Sequence, residues 1–152
     1  MSSSPVREGH DRSICDEVSE IGVMGRVYMK FASVVFYGAA AWGLLVLTPL
    51  YFMFNVISQQ DPPPITHPGF YYGFVGTALA WQFGFFVIAT NPARFRPMML
   101  PAVLEKIGYG VPVVVLVLQK RMRSQDLVFS GADLLFAVLF VIAFMKTKHT
   151  AG

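Results

Sequence analysis

Three ionisable residues interrupt stretches of this sequence that are otherwise almost entirely apolar. Glu105 and Lys106 lie within residues 98–118, and Asp133 lies within residues 127–145. An ionisable side chain surrounded by hydrocarbon is costly, and such residues usually have a partner or a function. Glu105 and Asp133 are therefore candidates for a general acid and a general base, since a desolvated carboxyl group can exchange protons near neutral pH.

Two further polar residues are expected at depths between those of the two carboxylates. Tyr109 follows Glu105 by four residues and so shares its helix face. Gln82 follows Tyr71 by eleven residues. That spacing corresponds to about 16 Å of helix. The pattern predicts that four polar side chains line one internal cavity, which opens to the outer side of the membrane. We call this set the polar ladder; in order of decreasing depth it is Glu105, Gln82, Tyr109 and Asp133. Such a cavity would hold or polarise a carbonyl, epoxide or hydroxyl group, so one hypothesis is an isomerase or hydrolase of a small lipophilic substrate.

A structural role for the same ionisable residues is the competing interpretation. Counted from their helix ends, Glu105 and Asp133 are expected in different layers, about 20 Å and about 9 Å deep. Glu105 would hydrogen-bond to Gln82 or Tyr109 and so help to hold the helices together, and Lys106 would extend to the cytoplasmic membrane surface. Asp133 would pair with a basic residue of the following loop, Lys120 or Arg121.

A lipophilic ligand between the helices is a further possibility. Its predicted contacts are Glu105, Gln82 and Tyr109 together with Trp42 and Trp81. Aromatic side chains at helical spacing are also common in membrane helices that bind nothing, so these two tryptophans carry less weight than the polar residues.

No cofactor or metal is predicted. The sequence has no phosphate-binding Walker loop, no dinucleotide glycine fingerprint and no histidine pair within its apolar stretches. His67 has no nearby second ligand, and Cys15 is the only cysteine, which excludes an internal disulfide and a thiolate metal cluster.

The composition indicates a membrane protein. Hydrophobic residues make up 55% of the chain and charged residues 14%, with a mean hydropathy of +0.54. Soluble domains, in contrast, carry about 25% charged residues. The basic residues are dispersed among apolar stretches, so nucleic-acid binding is not predicted.

Four stretches approach the length of about 20 residues that a helix needs to cross about 30 Å of hydrocarbon. Proline-rich and glycine-rich segments separate them, including Asp61-Pro62-Pro63-Pro64 and Asn91-Pro92. The predicted fold is an all-α integral membrane protein, a four-helix up-down bundle preceded by a short amphipathic surface helix. The predicted parts are a polar segment 1–30, transmembrane helices 31–54, 71–90, 98–118 and 127–145, and a tail 146–152.

Basic residues near the span ends predict the orientation. Eight lie on one side and three on the other, which favours a bacterial-type inner membrane with both termini cytoplasmic. The eight are Arg7, Arg12, Arg26, Lys30, Arg94, Arg96, Lys146 and Lys148; the three are Lys120, Arg121 and Arg123.

Small residues predict where helices approach each other closely. Gly76, Ala80 and Gly84 repeat every four residues in the second span, and a small-residue patch occupies 38–43 in the first, so these two spans should pack tightly. The favoured function is an accessory or assembly subunit of a larger membrane complex, or a binder of a lipophilic molecule. Its expected partners are membrane lipids, other membrane subunits and that small molecule.

Overall fold

The computed structural model of the chain describes residues 6–60 and 64–147, with the backbone alone at 6–19, 21 and 60. Residues 61–63 of the predicted first loop and 148–152 of the predicted tail lie outside the described residues. The described part is helical and contains no strand, as predicted. Its helices are α1 (Val6–Leu50), α2 (Phe54–Gln60), α3 (Pro68–Thr90), a 3-10 turn (Arg96–Met98), α4 (Met99–Leu118) and α5 (Asp126–Lys146).

The first helix differs from the prediction at both ends. The sequence predicts a separate short surface helix before residue 31, but α1 runs without a break from Val6 to Leu50. No proline lies between Val6 and Thr48, so nothing in the sequence forces the backbone to leave the helix there. The predicted end at Phe54 is also wrong, because α1 stops one residue after Pro49 and Phe54 begins α2.

Four helical segments of the described chain are long and apolar enough to cross a membrane, which confirms the predicted number. They are Gly22–Leu50, Pro68–Thr90, Arg96–Leu118 and Asp126–Lys146. Large apolar side chains on their outer faces are exposed, including Val34, Leu45, Phe83 and Leu104. Outward-facing apolar surface of this extent is typical of helices whose solvent is lipid.

Aromatic packing closes one end of the bundle, which we call the closed end. Phe36 of α1 stacks on Phe140 of α5 with ring centroids 4.1 Å apart, and Phe85 of α3 packs against both. At the same end, the Arg96 guanidinium donates a hydrogen bond to the Phe144 carbonyl, so the start of α4 lies beside the end of α5.

Small residues set how α4 and α5 meet. The Ser130 hydroxyl donates to the Gly110 carbonyl at 3.1 Å, and both residues are buried. A Cβ at Gly110 would lie 2.8 Å from Leu134 Cγ, so a larger residue would have to push the Leu134 side chain aside. This contact determines which levels of the two helices face each other.

The opposite end, which we call the open end, holds residues 51–60, 64–67 and 119–125, which belong to two connections between the long helices. Tyr71 donates a hydrogen bond to the Leu50 carbonyl there, so the end of α1 lies beside the start of α3. The helices pair as α1 with α3, α4 with α5 and α1 with α5, whereas α3 and α4 touch only sparsely. A gap therefore remains between α3 and α4.

The predicted small-residue stripe of α3 is only partly at a helix interface. Gly76 lies beside Tyr51, with 3.0 Å between its would-be Cβ and the tyrosine oxygen, whereas Ala80 is exposed and Gly84 lies beside Trp81 of its own helix. α1 and α3 do pack together, but through a different face of α3. The buried residues of that helix are Val75, Ala78, Gln82, Phe85, Ile88 and Ala89.

Candidate functional site

The two carboxylates predicted as acid and base share one buried ammonium group. Lys106 Nζ lies 3.0 Å from Asp133 Oδ1 and 3.3 Å from Glu105 Oε2. The Lys106 side chain is 5% exposed and each carboxylate side chain 15% exposed. We call these three residues the charge triad.

Two of the structural expectations are therefore wrong. Lys106 does not extend to the membrane surface, because two carboxylates lie within reach of its side chain inside the bundle. Asp133 pairs with Lys106 and not with the loop residues Lys120 or Arg121. Ionisable groups in a low-dielectric interior gain more from each other than exposed pairs do.

The expected separation into two layers is also wrong, and the helix register explains why. Gly110 and Ser130 are level, eight residues before the end of α4 and four residues after the start of α5. At the open end, α4 therefore projects about four residues, or about 6 Å, beyond α5. Depths counted from each helix end ignore this offset, whereas the true register brings Lys106 and Asp133 together.

The triad is incompletely compensated. Two carboxylates surround one ammonium, so the formal charge of the triad is −1. Lys106 is closer to Asp133, and Glu105 Oε2, although within ion-pair distance, accepts no hydrogen bond from any described residue. Glu105 is thus the carboxylate with the larger remaining capacity to bind a donor.

A cavity of about 330 Å³ at the open end, which we call the inner cavity, contains the charge triad. Trp42 and Tyr109 line it as predicted ligand contacts beside Glu105. Ile57 of α2 also borders it, so the short helix after α1 covers part of the space. The charged residues lining the cavity are Glu105, Lys106, Arg123, Asp126 and Asp133.

Gln82 does not belong to this cavity. Its Nε2 donates to the Ala78 carbonyl at 2.8 Å, one turn earlier in α3, and its side chain is fully buried. The carboxamide packs directly on Gly43 of α1, where a Cβ would overlap it. Gln82 Oε1 has no hydrogen-bond partner among the described residues. The structure places Gln82 at the α1–α3 contact, apart from the predicted ladder.

The gap between α3 and α4 forms a second, more open groove of about 650 Å³. Trp81 lines this groove and not the inner cavity. The groove and the cavity share four residues, so they adjoin: Phe74, Ala78, Glu105 and Tyr109. The Phe74 and Tyr109 rings stack across the gap with centroids 5.9 Å apart.

Sequence reasoning named Lys106 as an ionisable residue within an apolar stretch but assigned it to the membrane surface, and it missed Phe74 altogether. A signal for Lys106 exists, because a lysine and an aspartate in different apolar spans are natural partners for one another. Phe74 has no such signal: its importance depends on the position of α4. His67 contacts Phe70 with ring centroids 5.9 Å apart, and the described residues contain no group of three or more potential metal ligands among His, Cys, Asp and Glu.

The site thus combines a charged triad, an aromatic-lined cavity and a groove that adjoins it between two apolar helices. Such an arrangement can surround a molecule that has an apolar body and one polar group. The chain matched no family model, no curated protein and no solved structure when compared with each.

Proposed function

We propose that this protein crosses a bilayer four times in alternating directions, with both termini cytoplasmic, and binds a lipophilic molecule with a polar head between its helices. The molecule enters laterally from the lipid through the α3–α4 groove. Its polar head reaches the charge triad, and its apolar part lies against α3 and α4.

The observation that carries this proposal is the sharing of Glu105 and Tyr109 by the groove and the cavity. A molecule that slides between α3 and α4 would meet these polar groups without first passing through water. The cavity has a volume of about 330 Å³. This volume is at the lower end of the range for small-molecule pockets, which begins at about 300 Å³.

The Phe74–Tyr109 stack is well placed to control lateral access. Phe74 is 47% exposed and is half of the only ring pair described between α3 and α4. Gly108 and Ala78 line the groove beside it and add little bulk. A shift of the Phe74 ring would widen the passage at little packing cost.

Photocrosslinking tests the proposal. A neutral long-chain alcohol that carries a diazirine should label groove residues such as Phe74, Leu104 and Tyr109 in protein reconstituted in lipid nanodiscs. Gly108→Trp should fill the groove and abolish this labelling, since a Cβ at Gly108 meets nothing within 4 Å and the side chain has room to enter. Mass spectrometry of the labelled peptides measures the result.

Gly131→Trp is the matched control, because Gly131 of α5 also has open space around its Cβ position and lies outside the groove. Labelling spread evenly over all exposed apolar residues would mean that the probe reports bulk lipid, and it would contradict the proposal. Equal labelling of the two tryptophan variants would do the same.

Catalysis by Glu105 and Asp133 as acid and base is the alternative that the sequence suggested. Both carboxylates lie against Lys106, which favours binding of a polar group over proton transfer by free carboxyl groups. If the alternative were right, Glu105→Gln would abolish turnover of a bound ester or epoxide and leave binding of the neutral probe intact.

An assembly role is a separate proposal. Exposed small residues, among them Gly38, Gly73 and Ala80, leave flat places on the outer surface where another membrane helix would approach closely. Co-extraction of a stoichiometric partner in a mild detergent would support this role, and recovery of the isolated protomer alone would contradict it.

A further inference from the structure

We infer that the lipophilic molecule carries a cationic head group, such as a long-chain amine or quaternary ammonium. This inference rests on the proposed function and specifies its ligand class. Four features of the two adjoining spaces support it: the charge at their junction, the formal charge of the cavity lining, a backbone carbonyl in the groove, and the aromatic rings.

Glu105 is the only charged residue that lines both the groove and the inner cavity among the described residues. A head group that arrives from the lipid therefore meets a carboxylate before it meets Lys106 or Asp133. Because Lys106 lies nearer to Asp133 than to Glu105, and Glu105 Oε2 accepts no hydrogen bond from the described part of the chain, this carboxylate can take a second cation.

The inner cavity as a whole also has a formal excess of negative charge. Its lining contains three carboxylates, Glu105, Asp126 and Asp133, against two basic groups, Lys106 and Arg123, which leaves a formal charge of −1. A charge with little access to water is stabilised by an opposite charge nearby. A cationic ligand would supply that charge, and an anionic one would increase the imbalance.

The groove also contributes a backbone acceptor. Pro112 has no N–H group, so the carbonyl of Gly108 lacks the donor that a helix normally provides four residues later. Gly108 and Pro112 both line the groove. A primary or secondary ammonium group in the groove would therefore find an acceptor in this carbonyl in addition to the Glu105 carboxylate.

Aromatic rings complete the match to a cation. Trp42, Phe74, Tyr109 and Phe129 line the inner cavity around the triad. The face of an aromatic ring attracts a cation, most strongly where water is excluded. Quaternary ammonium groups, which cannot donate hydrogen bonds, are bound mainly through such contacts.

Equilibrium binding to the protein in phosphatidylcholine nanodiscs tests this inference with three probes of equal chain length: decyltrimethylammonium, decanol and decanoate. Empty nanodiscs correct for partition into lipid. The expected result is an affinity for the cation about tenfold or more above that for decanol, with decanoate weakest of the three. A tenfold ratio is the minimum effect that we would regard as recognition of charge.

Two variants of the triad should move this preference in opposite directions. Glu105→Gln keeps the shape of the side chain and removes the negative charge. The cation should then bind no more tightly than decanol, because only the alkyl chain still contributes to its affinity. Lys106→Gln removes the competing ammonium, so the preference should increase. A merely structural triad would weaken binding of all three probes together in both variants.

The outcomes separate the inference from the proposed function. Equal or tighter binding of decanol or decanoate would overturn the cationic ligand and leave the lipophilic binding function standing. A cation preference that survives Glu105→Gln would also overturn it. Binding of none of the three probes above empty nanodiscs would overturn both. The comparison of probes on the unaltered protein remains decisive if a variant fails to fold.

Discussion

At the scale of single residues, one glycine shows how closely two helices approach. Gly43 of α1 is buried against the carboxamide of Gln82, and a Cβ at this position would overlap that group. Gly38, on the same helix, is exposed, and its Cβ position meets nothing within 4 Å. The same substitution at these two glycines should therefore have different consequences.

We expect Gly43→Ala to lower the free energy of unfolding by about 1 to 3 kcal/mol, because the new methyl group must push Gln82 or α3 aside. Gly38→Ala should be neutral or raise it by up to about 1 kcal/mol, since alanine favours the helix. Thermal unfolding in a nonionic detergent, compared for the two variants, measures the difference.

The Gln82→Ala background provides the control for this pair. Removal of the carboxamide vacates the space that the methyl group needs, so Gly43→Ala should cost clearly less there than in the unaltered protein. An unchanged cost would show that the overlap with Gln82 is not the cause.

At the scale of elements, a strained residue lies just after the end of α4. Lys120 has a positive φ of 58°. This is the left-handed conformation that glycine adopts most easily. The Lys120 N–H donates to the Val117 carbonyl and that of Arg121 to the Leu116 carbonyl, each at 2.9 Å. These bonds form the Schellman pattern of helix ends, with lysine at the position where glycine is usual.

Lys120→Gly should therefore stabilise the protein by about 1 kcal/mol, the cost of the left-handed conformation for a residue with a Cβ. Arg121→Gly is the control: it also removes a basic residue, but Arg121 does not have a positive φ, so the glycine should be neutral or destabilising. Thermal unfolding again provides the measurement. Equal shifts for both variants would mean that charge and not backbone strain is responsible.

At the scale of the whole molecule, the predicted topology can be tested at three connections. In a Cys15→Ser background, single cysteines at Thr66, Ala93 and Ser124 place one thiol in each connection between the four apolar helices. A membrane-impermeant maleimide should label Thr66→Cys and Ser124→Cys in intact cells. It should label Ala93→Cys only after the membrane is permeabilised.

Ser124 is the most informative of these positions because the connection around it contains Lys120, Arg121 and Arg123, which oppose the orientation favoured by the other eight basic residues. Labelling of Thr66→Cys and Ala93→Cys from the same side would contradict four alternating crossings. Labelling of all three in the opposite sense would reverse the orientation and leave the number of crossings intact.

The sequence by itself determined that the fold is all-helical and that it contains four long apolar helices. Both follow from the length and composition of local stretches, since each apolar run either reaches about 20 residues or does not. Pro92 and Pro97 marked the end of α3 and the start of α4, but the continuity of α1 through residue 31 was missed because a change from polar to apolar residues does not by itself end a helix.

Only the tertiary structure decided which polar groups meet. The pairing of Lys106 with Asp133, the exclusion of Gln82 from the cavity and the opening between α3 and α4 depend on the relative shift and rotation of whole helices. That shift is set by close contacts such as Gly110 with Ser130. A difference of one turn at such a contact would displace every partner by about 5.4 Å. Spacing along one helix carries no information about such a displacement, which is why the two carboxylates and Tyr109 were predictable as site residues, whereas the place of Lys106 between the carboxylates and the role of Phe74 were not.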